Sequence, residues 1–130
     1  MHNPNNFVNF VKPSTTGKQD LKSAYRSGCA DCFLTMLNKK VIIRGDRSGV
    51  FFGTLSEKNG REVKLTDCRR LWYWSGAASL SQLAVDGVAN PNDCKFTVTV
   101  SEIAILDVIE IIPCTDEAVE SITSTREWRI

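Results

Sequence analysis

The chain has 130 residues, 42% of them hydrophobic, and sixteen Lys and Arg stand against fifteen Asp and Glu for a formal net charge of +1. This length fits one domain with one core, and no stretch approaches the roughly eighteen apolar residues of a membrane span. A near-neutral balance also argues against a partner as large and as charged as a long nucleic acid, whose binders are basic overall.

Taken in chain order, residues 1–18 (MHNPNNFVNFVKPSTTGK) are rich in Asn, Pro and Ser/Thr and read as a loosely attached arm. They lack the basic and apolar regions of a secretory leader, so a cytoplasmic protein with reduced thiols is expected. Asp20 is placed to cap a short helix ended by Gly28, and a second helical piece is expected over 32–37. From Lys40 the pattern becomes extended. Val41-Ile42-Ile43 is a β-branched run, Gly45 to Gly49 a turn, and Val50 to Leu55 a second apolar run. Lys58-Asn59-Gly60 supplies an Asn-Gly hairpin signal, and alternation through Val63 and Leu65 continues toward Leu71-Trp72-Tyr73-Trp74. Ser79 and Gln82 form a capping box for a helix over Leu80, Leu83 and Ala84 that Gly87 stops. Asn90 to Asp93 is a loop. Phe96, Val98 and Val100 alternate as a half-buried strand, and Ile103 to Ile112 reads as one long strand ended by Pro113. Thr115 caps a last helix with Asp116-Glu117 in its first turn, and Trp128 and Ile130 mark a tail that docks on something. The expected architecture is therefore α+β: an antiparallel meander core with two or three short helices, residues 1–38 forming an extension and 39–130 a single ligand-binding domain.

The charge is unevenly spread. Residues 38–74 carry nine Lys/Arg against four Asp/Glu, net +5, and residues 75–130 carry three against nine, net −6. This pattern suits a local pocket for a small anion, or complementary faces in an oligomer. Cys29 and Cys32 form a Cys-x-x-Cys pair, but the other three cysteines are scattered and the only histidine is His2. A zinc site lacks its remaining ligands. No nucleophilic triad, phosphate loop or dinucleotide fingerprint is present, so neither a cofactor nor a catalytic residue is assigned.

The most informative block is Arg69-Arg70-Leu71-Trp72-Tyr73-Trp74-Ser75-Gly76-Ala77-Ala78-Ser79. In an extended chain Arg70, Trp72 and Trp74 share one face, and Arg69, Leu71 and Tyr73 the other. A guanidinium fork beside indole faces suits a phosphate and a stacked base. The competing reading is that these aromatics are core or interface residues.

At these residues the chain resembles the phage anti-Thoeris sponge proteins, which sequester the cyclic ADP-ribose-type signals made by bacterial TIR-domain defence enzymes. The resemblance runs from Val41 to Ile130 through VIIRGDRSGVFFG (41–53), REVKLTDCRRLWYWSGAASLSQLAVDGV (61–88), NPNDCKFTV (90–98) and VIEIIPCTDEAVESI, with the late Trp128. It implies a homo-oligomer, a dimer or hexamer, with recessed pockets at subunit interfaces. It further implies capture of glyco-cyclic ADP-ribose without cleavage in the cytoplasm of the infected host, and in some relatives capture of cyclic oligonucleotides from CBASS defence. Matched by motif, Arg70 stands where a phosphate-contacting Arg is expected and Phe96 where a base-stacking aromatic is expected. Arg44, Arg69, Trp72 and Trp74 are further candidates, and Thr123 occupies the place of a C-terminal basic group, with Arg126 as its neighbour. Two alternatives remain from the residues alone: an enzyme that degrades such a nucleotide, and a purely structural phage interaction protein.

Overall fold

The computed structural model describes residues 34–130. The arm, the helix expected after Asp20 and the Cys29/Cys32 pair lie outside the described residues, whereas residues 34–36, within the expected second helical piece, are helical. The fold is α+β. Its strands are β1 (Lys40–Gly45), β2 (Val50–Asn59), β3 (Glu62–Tyr73), β4 (Lys95–Phe96), β5 (Val100–Ile105) and β6 (Val108–Pro113), and its helices are α1 (Leu80–Asp86) and α2 (Asp116–Ser124), with a 3₁₀ turn over Pro91–Asp93.

All the strands pair antiparallel, in the order β4-β3-β2-β1-β6, and β5 pairs with the first half of β3 on the edge that β4 occupies further along. The strands β5 and β6 at opposite ends of this sheet are joined only by Leu106 and Asp107. The sheet must therefore bend until its two ends meet. Asp107 fastens the bend: its carboxylate accepts from Arg47 N (2.8 Å), Ser48 N (3.1 Å) and Ser48 Oγ (2.6 Å). Its carbonyl accepts from Asp46 N at 2.8 Å, and Val108 N donates to Arg61 O at 3.0 Å. The single strand expected over 103–112 is thus two strands. An acid with three donors to satisfy, and a neighbouring carbonyl already taken, holds a corner better than a ladder position.

Bending also needs a bulge. Between Phe52 and Thr54 the register slips so that Asp67, at φ 49°, and Cys68 oppose Gly53. A Cβ on Gly53 would sit 3.1 Å from both Cys68 Cα and Thr66 O, a tight fit that the neighbouring backbone would have to relieve by a few tenths of an ångström, so glycine suits this close approach. The β2–β3 hairpin turns one residue later than the Asn-Gly signal suggests. Asn59 pairs with Glu62, leaving Gly60 (φ 61°) and Arg61 as the loop, the pattern in which glycine takes the first central position.

Alternation then gives the sheet two buried faces. Val41, Ile43, Phe51, Leu55, Val63, Leu65, Cys68, Ile105 and Val108 fill the inner face, closed partly by Met36 and Leu37. Ile42, Phe52, Leu71 and Phe96 form the other, covered by Leu83 and Ala84 of α1 and Ile122 of α2. Both helices are capped as expected. Ser79 Oγ accepts from Gln82 N, Gln82 Oε1 accepts from Ala78 N, Gly87 ends α1 at φ 78°, and Thr115 Oγ1 accepts from Ala118 N. The strand expected from Phe96 through Val100 is interrupted: β4 stops at Phe96, and pairing resumes with Val100 opposite Cys68, at the β3 bulge.

Candidate functional site

The Arg/aromatic block straddles the sheet. Arg70 lies half-buried over the inner face, its guanidinium 4.5 Å from the centroid of the Phe51 ring, and its Nη1 donates to Ser48 O at 2.7 Å. Trp72, beyond it on β3, is 64% exposed. Trp74 does not join them: β3 ends at Tyr73, and the Trp74 ring packs against the helix-covered core. Arg44 alternates with Ile43 and so belongs to the helix-covered side, where its Nε meets Glu110 Oε1 at 3.1 Å. Within one chain, Arg44 and Arg70 are therefore held apart by the thickness of the sheet.

Arg69 and Phe96 are both buried within the chain. Phe96 is fully buried in the helix-side core, so no base stacks on it in this conformation. Its aromatic side chain supplies apolar area that the short strand β4 needs in order to dock. Arg69, 4% exposed, points the same way as Leu71 and spends all three nitrogens on backbone carbonyls. Nη1 donates to Ile122 O (2.9 Å) and Thr125 O (2.8 Å), Nε to Thr97 O (3.1 Å), and Nη2 to Phe96 O (3.2 Å) and Arg126 O (3.4 Å). Ile122 and Thr125 end α2, so one cation satisfies orphan carbonyls at the negative end of the helix. Burial pulls the Arg69 pKa down, opposed by the charge of Glu127.

This clamp fixes the tail. Trp128 N donates to Phe96 O at 2.8 Å, and Phe96 and Glu127 form a parallel bridge, so the tail lies along the outer edge of β4. Between it and the 3₁₀ turn opens a cleft of about 440 Å³, lined by Asn92, Asp93, Cys94, Lys95 and residues 126–129. That volume falls within the range of small-molecule sites, about 300–1,000 Å³. Lys95 Nζ stands 5.4 Å from the Trp128 ring, which is 43% exposed. Arg129 is neutralised by Glu127 (2.6 Å), whose carboxyl is held below the usual range first by the hydrogen bond from Arg129. Among the described residues, neither Lys95 nor Arg126 forms an ion pair. Arg126 is thus the one motif-matched residue that lines the cleft. Thr123, exposed on α2, does not line it. Lys95, Trp128 and Asn92 were not singled out as ligand contacts from the sequence. The signal for them was the aromatic tail, which gives a docking segment but no partner for it.

The model of a domain of unknown function (DUF6948) matches residues 38–122, from the entry to β1 almost to the end of α2. The chain belongs to this family. The DUF6948 match includes Arg69, Phe96 and the 92–95 wall of the cleft, and it stops short of the tail that forms the other wall. No curated protein matches the chain.

Chemically, the cleft gathers Lys95, Arg126 and the Trp128 indole with the carboxylates of Asp93 and Glu127. Burial pushes the Cys68 and Cys114 thiols up to about 12, keeping both protonated at neutral pH. Among the described residues, no three His, Cys, Asp or Glu are grouped to hold a metal ion, and no helix is long and apolar enough to cross a membrane.

Proposed function

We propose that this protein binds and sequesters a cyclic nucleotide immune signal of the cyclic ADP-ribose class without cleaving it, so lowering the concentration available to Thoeris defence in the host cytoplasm. The observation that carries the reading is the cleft, where Lys95 stands over the exposed Trp128 indole and Arg126 lines the same space, beside the carboxylates of Asp93 and Glu127, on a wall pinned by Arg69. Cations select the doubly charged pyrophosphate, and the indole offers a face for the base. The resemblance of residues 41–130 to the anti-Thoeris sponges supplies the ligand class.

Magnitudes require a second protomer. Two charge-assisted hydrogen bonds at about 1.5–3 kcal/mol each and one stack at about 1–3 give roughly 4–9 kcal/mol. Association costs about 4 or more, whereas nanomolar capture needs about 12 net. An open cleft on one chain falls short, and a neighbouring subunit that closes it removes the deficit. Arg44, Arg70 and Trp72, on other parts of the surface, are available to line a pocket completed by that neighbour.

The test is calorimetry of glyco-cyclic ADP-ribose against the wild type, Trp128→Ala and the Lys95→Glu/Arg126→Glu double variant, with folding checked by thermal melting. At least a tenfold weakening in each folded variant is expected. Wild-type affinity in both would remove the cleft as the site, and the same affinity lost only in Arg70→Ala would move it to the β3 face.

A further inference from the structure

We propose that Asp93 and Asn92 form a ribose subsite in the cleft, which makes a pair of adjacent free ribose hydroxyls a requirement for tight binding. This rests on the reading of the cleft given above and deepens it by naming the part of the ligand that the acidic wall takes.

The two carboxylates of the cleft are not equivalent. Glu127 Oε1 accepts from Arg129 Nε (3.2 Å) and Nη2 (2.6 Å), and the Thr99 amide also donates to the Glu127 carboxyl. Asp93 has no such partner. Among the described residues, its carboxylate forms no ion pair or hydrogen bond, and the side-chain amide of Asn92 forms none either. Both residues are exposed and line the cleft. A lone carboxylate in a space that Lys95 and Arg126 otherwise suit to an anion repels the ligand, unless the ligand brings it a donor.

The turn that carries both residues is fixed by other groups. Asp93 N donates to Asn90 O (3.0 Å) and Cys94 N to Pro91 O (3.2 Å), with Pro91 setting the backbone at the start of the turn. Asn90 is held in turn on Ser75: its N donates to Ser75 O (3.3 Å) and its Nδ2 to Ser75 Oγ (3.0 Å). Ser75 N donates to Cys94 Sγ at 3.4 Å. None of these bonds spends the side chain of Asn92 or Asp93. An ordered backbone with two unspent polar groups is preorganised for a ligand.

The chemistry of the pair selects hydroxyls. A carboxylate only accepts, through two oxygens, and an amide beside it adds a donor for a hydroxyl oxygen. Adjacent ribose hydroxyls supply two donors, and an acidic residue takes the ribose hydroxyl in this way in dinucleotide-binding folds. The adenine amine is a poorer match, because a ring-nitrogen acceptor stands next to it and would face the second carboxylate oxygen. Glyco-cyclic ADP-ribose joined through its 2′ oxygen keeps two adjacent hydroxyls on its second ribose. Cyclic oligonucleotides joined 3′ to 5′ keep a single hydroxyl on each ribose. Asp93 therefore favours the first class over the second, a choice that cations and an indole alone do not make.

The experiment titrates the full-length protein calorimetrically with 2′-linked glyco-cyclic ADP-ribose. The ligand is used intact, and after periodate cleavage of its hydroxyl pair and borohydride reduction. Wild type is compared with Asp93→Ala and Asn92→Ala, whose melting temperatures should match it because neither side chain has a bond within the fold. Wild type is expected to bind the cleaved ligand about tenfold more weakly, and Asp93→Ala to bind the intact ligand about tenfold more weakly, the worth of one hydrogen bond to a charged group. The two losses should coincide, so that Asp93→Ala no longer distinguishes the ligands. Asn92→Ala should fall between. An Asp93→Ala variant that binds the intact ligand as well as wild type, or better, would make the carboxylate a bystander and overturn the assignment. A preference for the intact ligand that survives Asp93→Ala would overturn it too. A wild type that binds neither ligand would overturn the reading of the cleft itself, and the ribose subsite with it.

Discussion

Replacing Arg69 with methionine keeps the length and apolar stem of the side chain and removes the guanidinium. Four of its hydrogen bonds are 3.2 Å or shorter, and all end on carbonyls of the tail, the end of α2 or residues 96–97. Bonds to a charged donor contribute about 1.5–3 kcal/mol each in isolation. They do not add, because burying the guanidinium costs several kcal/mol on its own. The larger loss in the variant comes from carbonyls left buried and unpaired. An expected destabilisation of about 3–5 kcal/mol follows, the range for removing one side of a buried charged contact. Against a total of about 5–15 kcal/mol, that lowers the melting temperature by on the order of 15–30 °C in a domain of this size. Calorimetric melting reads the loss, and Trp128 fluorescence reads release of the tail. Arg69→Lys, with one nitrogen in place of three, should fall between. A methionine variant within about 1 kcal/mol of wild type would refute the clamp.

Phe96→Ala should destabilise by about 3–5 kcal/mol, the cost of emptying a large aromatic site; urea melts check this, and a stability-neutral Phe96→Ala would put the ring outside the core. The Asp107 carboxyl is held below its usual pKa, chiefly by the Ser48 hydroxyl and then by Arg47 N. Its contribution is present above the unfolded value of about 3.9 and disappears as pH falls through the lower folded value. Melts between pH 2 and 7 should show a loss on acidification that is smaller in Asp107→Asn; identical curves would contradict this. The Cys68 and Cys114 thiols, at about 12, should react at pH 8 on the order of a thousandfold more slowly than a free thiol. Peptide-level mass mapping after brief alkylation reads this, and rapid labelling of either would mean an open core.

Local chemistry made much of the fold legible. Capping residues Ser79 and Thr115, the glycine stop at Gly87, the β-branched run of β1 and the turn before Val50 all act within a few residues. The strand after Phe96 and the split at Leu106–Asp107 were not legible. Those depend on a long-range demand, that a bent sheet bring β5 and β6 to a corner where Asp107 finds donors sixty residues away. The placement of the candidate site residues was not legible for the same reason. Alternation places Arg69 and Arg70 on opposite faces, but only tertiary packing decides which face is sealed by helices. That decision buries Arg69 and Phe96 and leaves Arg70 and Trp72 accessible. The ring of Trp74 follows the chain out of the strand, so a rule of twos carried one residue too far.

The most direct measurement is to titrate the full-length protein with glyco-cyclic ADP-ribose, denature the complex and chromatograph what is released. The account predicts saturable binding and quantitative return of unchanged nucleotide. No binding, or recovery of a cleaved product, would contradict it.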